Sequence, residues 1–236
     1  MKQLLLIIIY FNTTSIYSQT LRDKEESMRP ALWLKIPDYT NSTLKIDSLG
    51  YGDLPTEIEY RGVIVEAIQW VDNLGSNILL LTQTGAFSYK DTIGEEISRS
   101  ELFAYLFQNA PKEKQYRKLW RLYDFENCFG VDMYAGFYQH SLTITDIDND
   151  NIGEVTFVYK LSCRGGADPA TQKLVMYEKN DKYMLRGETL MPAGDPKINS
   201  SNNFKADNKF NTSPTFLGFA KKRWSTIGLD DFKQFR

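Results

Sequence analysis

Residues 57–85 read EIEYRGVIVEAIQWVDNLGSNILLLTQTG. Apolar and polar side chains alternate along 57–72, the period of a strand with one buried face. Asn73 and Gly75 mark a turn, and the run 77–85 is a second strand, rich enough in Leu and Ile to be buried on both faces. This stretch predicts an antiparallel hairpin and sets the fold class as mainly β. The 14 Tyr and 14 Phe agree, since aromatic rings pack well on a pleated surface.

The same grammar continues on either side. ELFAYLFQ (101–108), a charged turn NAPKEKQ (109–115) and YRKLWRLYDF (116–125) complete a first half over about 57–127. A second half, about 138–191, repeats the order. HSLTIT (140–145) is a strand, DIDNDNIG (146–153) a turn and EVTFVYKL (154–161) a strand. QKLVMYEKN (172–180) and KYMLRGETL (182–190) follow, joined by a tight turn at Asn180-Asp181. Matching ILLLT (78–82) to VTFVY (155–159), and FAYLF (103–107) to LVMYE (174–178), gives offsets of 77 and 71 residues. Two four-stranded antiparallel meanders, blade-like as in a propeller or stacked as a sandwich, explain that order. β-rich sequences also resemble one another in any register, so duplication stays an expectation.

Residues 19–51 read as a lead-in with one or two edge strands, and 191–211 as a turn-rich surface loop. Within the C-terminal segment 192–236, SPTFLGFAKKRWSTIG (213–228) has helix grammar. Ser213 is the N-cap, Pro214 the first helical residue and Gly228 the expected stop. Phe216, Phe219, Ala220 and Trp224 line one face.

The first 18 residues have the three parts of a secretory signal: Lys2, an apolar run from Leu4 to Phe11, and a small polar tail ending at Ser18. The apolar run is about half the roughly 20 residues that span a bilayer. Cleavage after Ser18 leaves one β-rich domain, 19–236, without a transmembrane segment. Losing Lys2 takes Lys+Arg from 28 to 27 against 30 acids, a net charge of −3, and the pI is near 5.6. Such a chain has no electrostatic attraction for nucleic acid.

Cys128 and Cys163 are the two cysteines. In an exported chain an even pair reads first as a disulfide and second as a reactive thiol. His140 is the sole histidine, so a zinc site lacks ligands.

The chemistry concentrates in DIDNDNIGE (146–154). Asp146, Asp148 and Asp150 hold loop positions 1, 3 and 5, Ile152 offers a carbonyl at 7, and Glu154 stands at 9. Calcium takes six to eight oxygens from such alternating side chains and a backbone carbonyl. Position 6 needs a positive φ, which Asn151 tolerates better than most residues. Without a cation, four neighbouring carboxylates repel. A polar turn is the plain alternative, and a catalytic carboxylate cluster a remote one. Position 12 is Phe157, so this is not a helix–loop–helix calcium hand.

DxDxDxxxE between strands resembles the calcium loops of FG-GAP and VCBS-type repeats, which lie in β-propeller blades. Asn151 stands here where Gly is usual, and Glu154 where Asp is usual. A longer resemblance runs through VEAIQWVDNLGSNILLLTQTG, SELFAYLF, KLWRLYDFENC, the stretch LTITDIDNDNIGEVTFVYKLSCRGGADPATQKLVMYEKNDKYMLRG, and FLGFAKKRW. These are similar to an exported Bacteroidota-type family known as surface polysaccharide biosynthesis proteins. Its members share the acidic loop, cysteines at the positions of Cys128 and Cys163, and an Arg-Gly turn. The resemblance implies an envelope polysaccharide, or a protein of its assembly pathway, as partner.

CRGGADP (163–169) offers Arg164 and Asp168 as a ligand-contacting surface, and a glycine turn closed by Pro169 is the preferred, simpler reading. Asp124, Glu126 and Asp132 flank Cys128, but glycoside hydrolysis needs two carboxylates at a set separation that one sequence does not supply. Trp70 and Trp120 lie in strand-like runs and read as core. The residues favour an exported, disulfide-stabilised, calcium-binding envelope protein without catalytic machinery. A glycan-acting enzyme and a carbohydrate- or protein-binding module are the alternatives.

Overall fold

The computed structural model describes residues 44–166, 168–189 and 203–233, with backbone only from 228. The expected signal over 1–18, any lead-in strand before residue 44, and most of the polar loop after Leu190 lie outside the described residues.

The hairpin read from 57–85 is present, shorter at its start and longer at its end. β1 (Ile46–Ser48) pairs with β2 (Val63–Asp72), which turns into β3 (Gly75–Lys90), then β4 (Glu96–Asn109) and β5 (Arg117–Cys128). All neighbours are antiparallel, in the order β1-β2-β3-β4-β5. Strand β2 starts only at Val63 because Gly62 has φ +90°, and a Cβ there would lie 2.8 Å from the Gln83 carbonyl oxygen. That conformation breaks the extended run begun at Glu57.

The second sheet contains β6 (Asp132–Phe137), β7 (Thr143–Thr145), β8 (Glu154–Arg164), β9 (Thr171–Glu178), β10 (Asp181–Glu188) and β11 (Phe204–Ala206). Its order is β11-β10-β9-β8-β6, with β7 also on β8. Phe137 pairs with Tyr159 and Thr143 with Thr156, so β6 and β7 are two pieces of one interrupted edge. Each sheet is therefore a four-stranded antiparallel meander carrying one short extra strand, β1 or β11.

Several local expectations shift. The β9–β10 turn is Lys179-Asn180, with Lys179 at φ +54°, one residue before the expected Asn180-Asp181. His140 lies in a turn at φ +58°, and the strand expected to begin there starts at Thr143. Strand β6 has a weak sequence signal, Asp-Met-Tyr-Ala-Gly-Phe, and is held by its register on β8. The region expected to be loop throughout 191–211 contains β11 and a 3-10 turn, Asn208–Thr212. Phe210 in that turn is 1 % exposed, so a buried aromatic anchors a polar segment.

Helix α1 (Pro214–Lys233) begins at Pro214 as expected, and Leu217 N–H donates to the Ser213 carbonyl. It passes through Gly228 instead of stopping there. Glycine inside a helix costs about 1 kcal/mol, a penalty that packing upstream offsets. Phe216, Ala220, Trp224 and Ile227 are buried against the outer face of the second sheet, and Phe219 is partly buried beside them. Among the described residues no helix is long and apolar enough to cross a membrane.

Alternation sorts the strands between three clusters. Leu79 and Leu81 face the second sheet, whereas Ile78 and Leu80 face outward under Ile58 and Phe103. Val155, Phe157 and Tyr159 meet the first sheet, and Val158 meets α1. Trp70 and Trp120 belong to the inter-sheet cluster, with Trp120 stacked on Tyr177 at 3.9 Å between ring centroids. Burying one such side chain contributes about 1.5–3 kcal/mol. Cys128, the last residue of β5, is disulfide-bonded to Cys163 of β8, with Cα atoms 5.2 Å apart. The bridge links one sheet to the other.

Candidate metal centre

The acidic loop joins β7 to β8, and the β2–β3 and β9–β10 turns hold it. Glu154, the first residue of β8, is fully buried. Its carboxylate accepts the Thr145 hydroxyl at 2.8 Å and the Ile147 amide at 3.0 and 3.1 Å. Burial is the main cause that pushes its carboxyl up to about 7; the Ile147 and Thr145 bonds oppose this, and the charges of Asp148 and Asp146 add to it. A carboxylate in that position favours a positive charge nearby.

The loop backbone folds around its own acids. Asn151 N–H donates to both Asp146 oxygens at 3.2 Å, Asp150 N–H to Asp148 Oδ1 at 3.3 Å, and Ile152 N–H to Asp150 Oδ1 at 2.8 Å. Asn149 and Asn151 have φ of +62° and +61°, so the residue at position 6 adopts the left-handed conformation expected of it. Asn reaches that region more readily than other non-glycine residues.

Oxygens of Asp146, Asp148 and Glu154 lie within 4.8 Å of one another, close enough to share one cation. Asp150 is turned the other way. Its oxygen groups with those of Asp148 and Glu178, again within 4.8 Å. Lys179 donates to Asp150 Oδ2 at 3.0 Å and to Glu178 Oε1 at 2.6 Å. Glu178 first, then Asp150, hold the Lys179 ammonium well above its ordinary range. The structure thus divides the four expected acids into a trio and an outlier, with Asp148 between them. Ile152 is buried, and its side chain anchors the loop's exit.

Two contributors come from far along the chain. Asp72, at the end of β2, accepts Trp70 Nε1–H at 2.9 Å, Leu74 N–H at 2.9 Å and Gly153 N–H at 3.2 Å. Asn73 N–H donates to the Asn151 carbonyl at 2.9 Å, and its side-chain amide to the Asp150 carbonyl at 3.0 Å. A Cβ on Gly153 would lie 2.7 Å from Trp70 Nε1, so glycine is needed for the loop to approach the indole. Sequence reasoning missed Asp72, Asn73, Glu178 and Lys179. Their only local signal is that each pair flanks a hairpin turn.

The other expected candidates are placed as follows. Arg164 donates to the carbonyl of Asp168, closing the turn upon itself, and the Asp168 residue is exposed. Asp124 accepts the Tyr159 hydroxyl at 2.7 Å and Lys173 Nζ at 2.5 Å. Asp132 pairs in register with Arg164 on the β6–β8 edge. Trp70, Trp120 and Trp224 are buried. Comparisons with family models, curated proteins and solved structures find no match.

Proposed function

We propose that this chain is an exported, non-enzymatic envelope protein whose paired sheets are braced by one calcium ion in the 146–154 loop. The observation that carries this reading is the buried Glu154 carboxylate, oriented by Thr145 and Ile147 toward the oxygens of Asp146 and Asp148. Calcium fits the donors because they are hard oxygens on a turn able to supply further carbonyls and waters. Asp146, Asp148 and Glu154 form the inner set. Asp150 and the Ile152 carbonyl complete it if Asp150 leaves Lys179 on ion binding. Export rests on the first 18 residues, and the disulfide suits an oxidising compartment. The link to surface polysaccharide, or to a protein that assembles it, rests on sequence resemblance.

Thermal unfolding of the full chain with calcium and with EDTA tests the metal. Calcium should raise Tm, and Asp148→Ala should abolish that rise while the metal-free fold persists. Equal melting in both solutions defeats the proposal. Magnesium should be a poor substitute, because it demands near-octahedral geometry at shorter distances.

A further inference from the structure

A lysine already occupies one side of the acidic loop. Lys179 Nζ lies 3.0 Å from Asp150 Oδ2 and 2.6 Å from Glu178 Oε1. Oxygens of Asp148, Asp150 and Glu178 approach within 4.8 Å of one another, so the ammonium sits against a second acidic trio. Asp148 belongs both to this trio and to the one with Asp146 and Glu154.

The hairpin geometry puts the lysine there. Glu178 and Asp181 pair across β9 and β10, which leaves Lys179-Asn180 as the turn. Lys179 has φ +54°, a conformation for which Gly or Asn is the usual choice. From that position its side chain reaches across to the β7–β8 loop, 29 residues back along the chain.

A fixed backbone and a loosely held side chain make the pair exchangeable. The Asn73 side-chain amide donates to the Asp150 carbonyl at 3.0 Å, and Asn73 N–H to the Asn151 carbonyl at 2.9 Å. Only the Asp150 side chain therefore has to turn for its carboxylate to change partner. The Lys179 and Asp150 side chains are 44 % and 33 % exposed, and ion pairs so open to water are weak. The Glu178 side chain is only 12 % exposed and keeps hold of the ammonium when Asp150 leaves.

Charge sets the direction of the exchange. A divalent ion among Asp146, Asp148 and Glu154 attracts the Asp150 carboxylate and repels the Lys179 ammonium. At equal distance its doubled charge attracts a carboxylate about twice as strongly as an ammonium does. The empty loop needs a counter-charge against its own repulsion, and the filled loop does not.

Given the calcium ion proposed for the 146–154 loop, we infer that Lys179 is the loop's built-in counter-ion. Calcium must displace it from Asp150, and its presence lowers the loop's calcium affinity. The second sheet thus steadies the loop when it is empty and yields one side chain when it fills.

Calorimetric calcium titrations of the full chain test this, with Lys179→Met, Lys179→Arg and Lys182→Met beside the parent. Lys179→Met keeps the aliphatic stem without the charge, and should bind calcium at least roughly fivefold more tightly. Its Tm in EDTA should fall, because Asp148, Asp150 and Glu178 lose their counter-charge. Its Tm in saturating calcium should match the parent's, and Lys179→Arg should restore the parent's affinity. Lys182→Met removes a positive charge from the same hairpin, and should stay within about twofold of the parent because solvent screens that charge. Equal or weaker binding by Lys179→Met, or equal tightening by Lys182→Met, overturns the counter-ion role and leaves the calcium site standing. A parent that binds no calcium overturns both.

Discussion

The carboxylate of Asp72 accepts the amide hydrogen of Gly153 at 3.2 Å, tying the first hairpin to a loop 81 residues later. That one side chain also satisfies Trp70 Nε1–H and Leu74 N–H. The acidic loop is therefore part of the contact between the two sheets.

Asp72→Ala leaves three donors without their acceptor. Losing such a partner costs about 1–3 kcal/mol when the donors are buried. Urea unfolding should show a loss in that range, and calcium titration a weaker affinity, because the loop's exit is no longer held. Unchanged calcium affinity would show that the first sheet does not shape the loop.

Gly153→Ala drives a methyl group toward the Trp70 indole, with Ile144 Cγ2 at 3.0 Å on another side. Overpacking of this kind costs about 1–3 kcal/mol. Near-ultraviolet circular dichroism should report the displaced Trp70, and urea unfolding the lost stability. A parent-like spectrum and midpoint would contradict the tight approach.

The buried Glu154 carboxyl makes the metal-free protein sensitive to pH. Its folded value near 7 lies above the ordinary 4.5, so the folded chain holds a proton that the unfolded chain releases. That stabilisation is complete below pH 4.5 and is lost as pH rises to 7. The difference amounts to roughly 3 kcal/mol at most. In EDTA, stability should fall across this window, and Glu154→Gln should flatten the profile. Calcium should bind better above pH 7, because its ligand must be ionised. A flat profile in the parent would contradict the burial argument.

Cys128 and Cys163 are 35 residues apart and join different sheets. Chain entropy assigns a cross-link of that span roughly 3–4 kcal/mol. Reduction, or Cys128→Ala with Cys163→Ala, should lower stability by about that much. Intact-mass analysis without reductant should find no free thiol.

Local patterns carried much of the fold. Alternation through Val63–Asp72, the Leu-rich run after Gly75, and Pro214 behind Ser213 each follow from energies within a few residues. Strands were harder where that local signal is weak: β6 and β11 exist because β8 and β10 offer open edges to pair with. Phe210 shows the same effect, since an isolated aromatic in a polar stretch finds its partner only once the sheet exists.

The candidate site divides along the same line. The spacing of Asp146, Asp148 and Glu154, and the positive φ at Asn151, belong to nine consecutive residues and could be read directly. Asp150 turns away because Lys179 reaches it from another hairpin, and the supports at Asp72 and Asn73 arrive from the first sheet. Side-chain periodicity and turn chemistry are short-range, so the long strands, the start of the helix and the acidic loop were legible along the chain. Which polar groups meet across 29, 77 or 81 residues depends on strand register and on how one sheet lies over the other, which no short stretch of chain encodes.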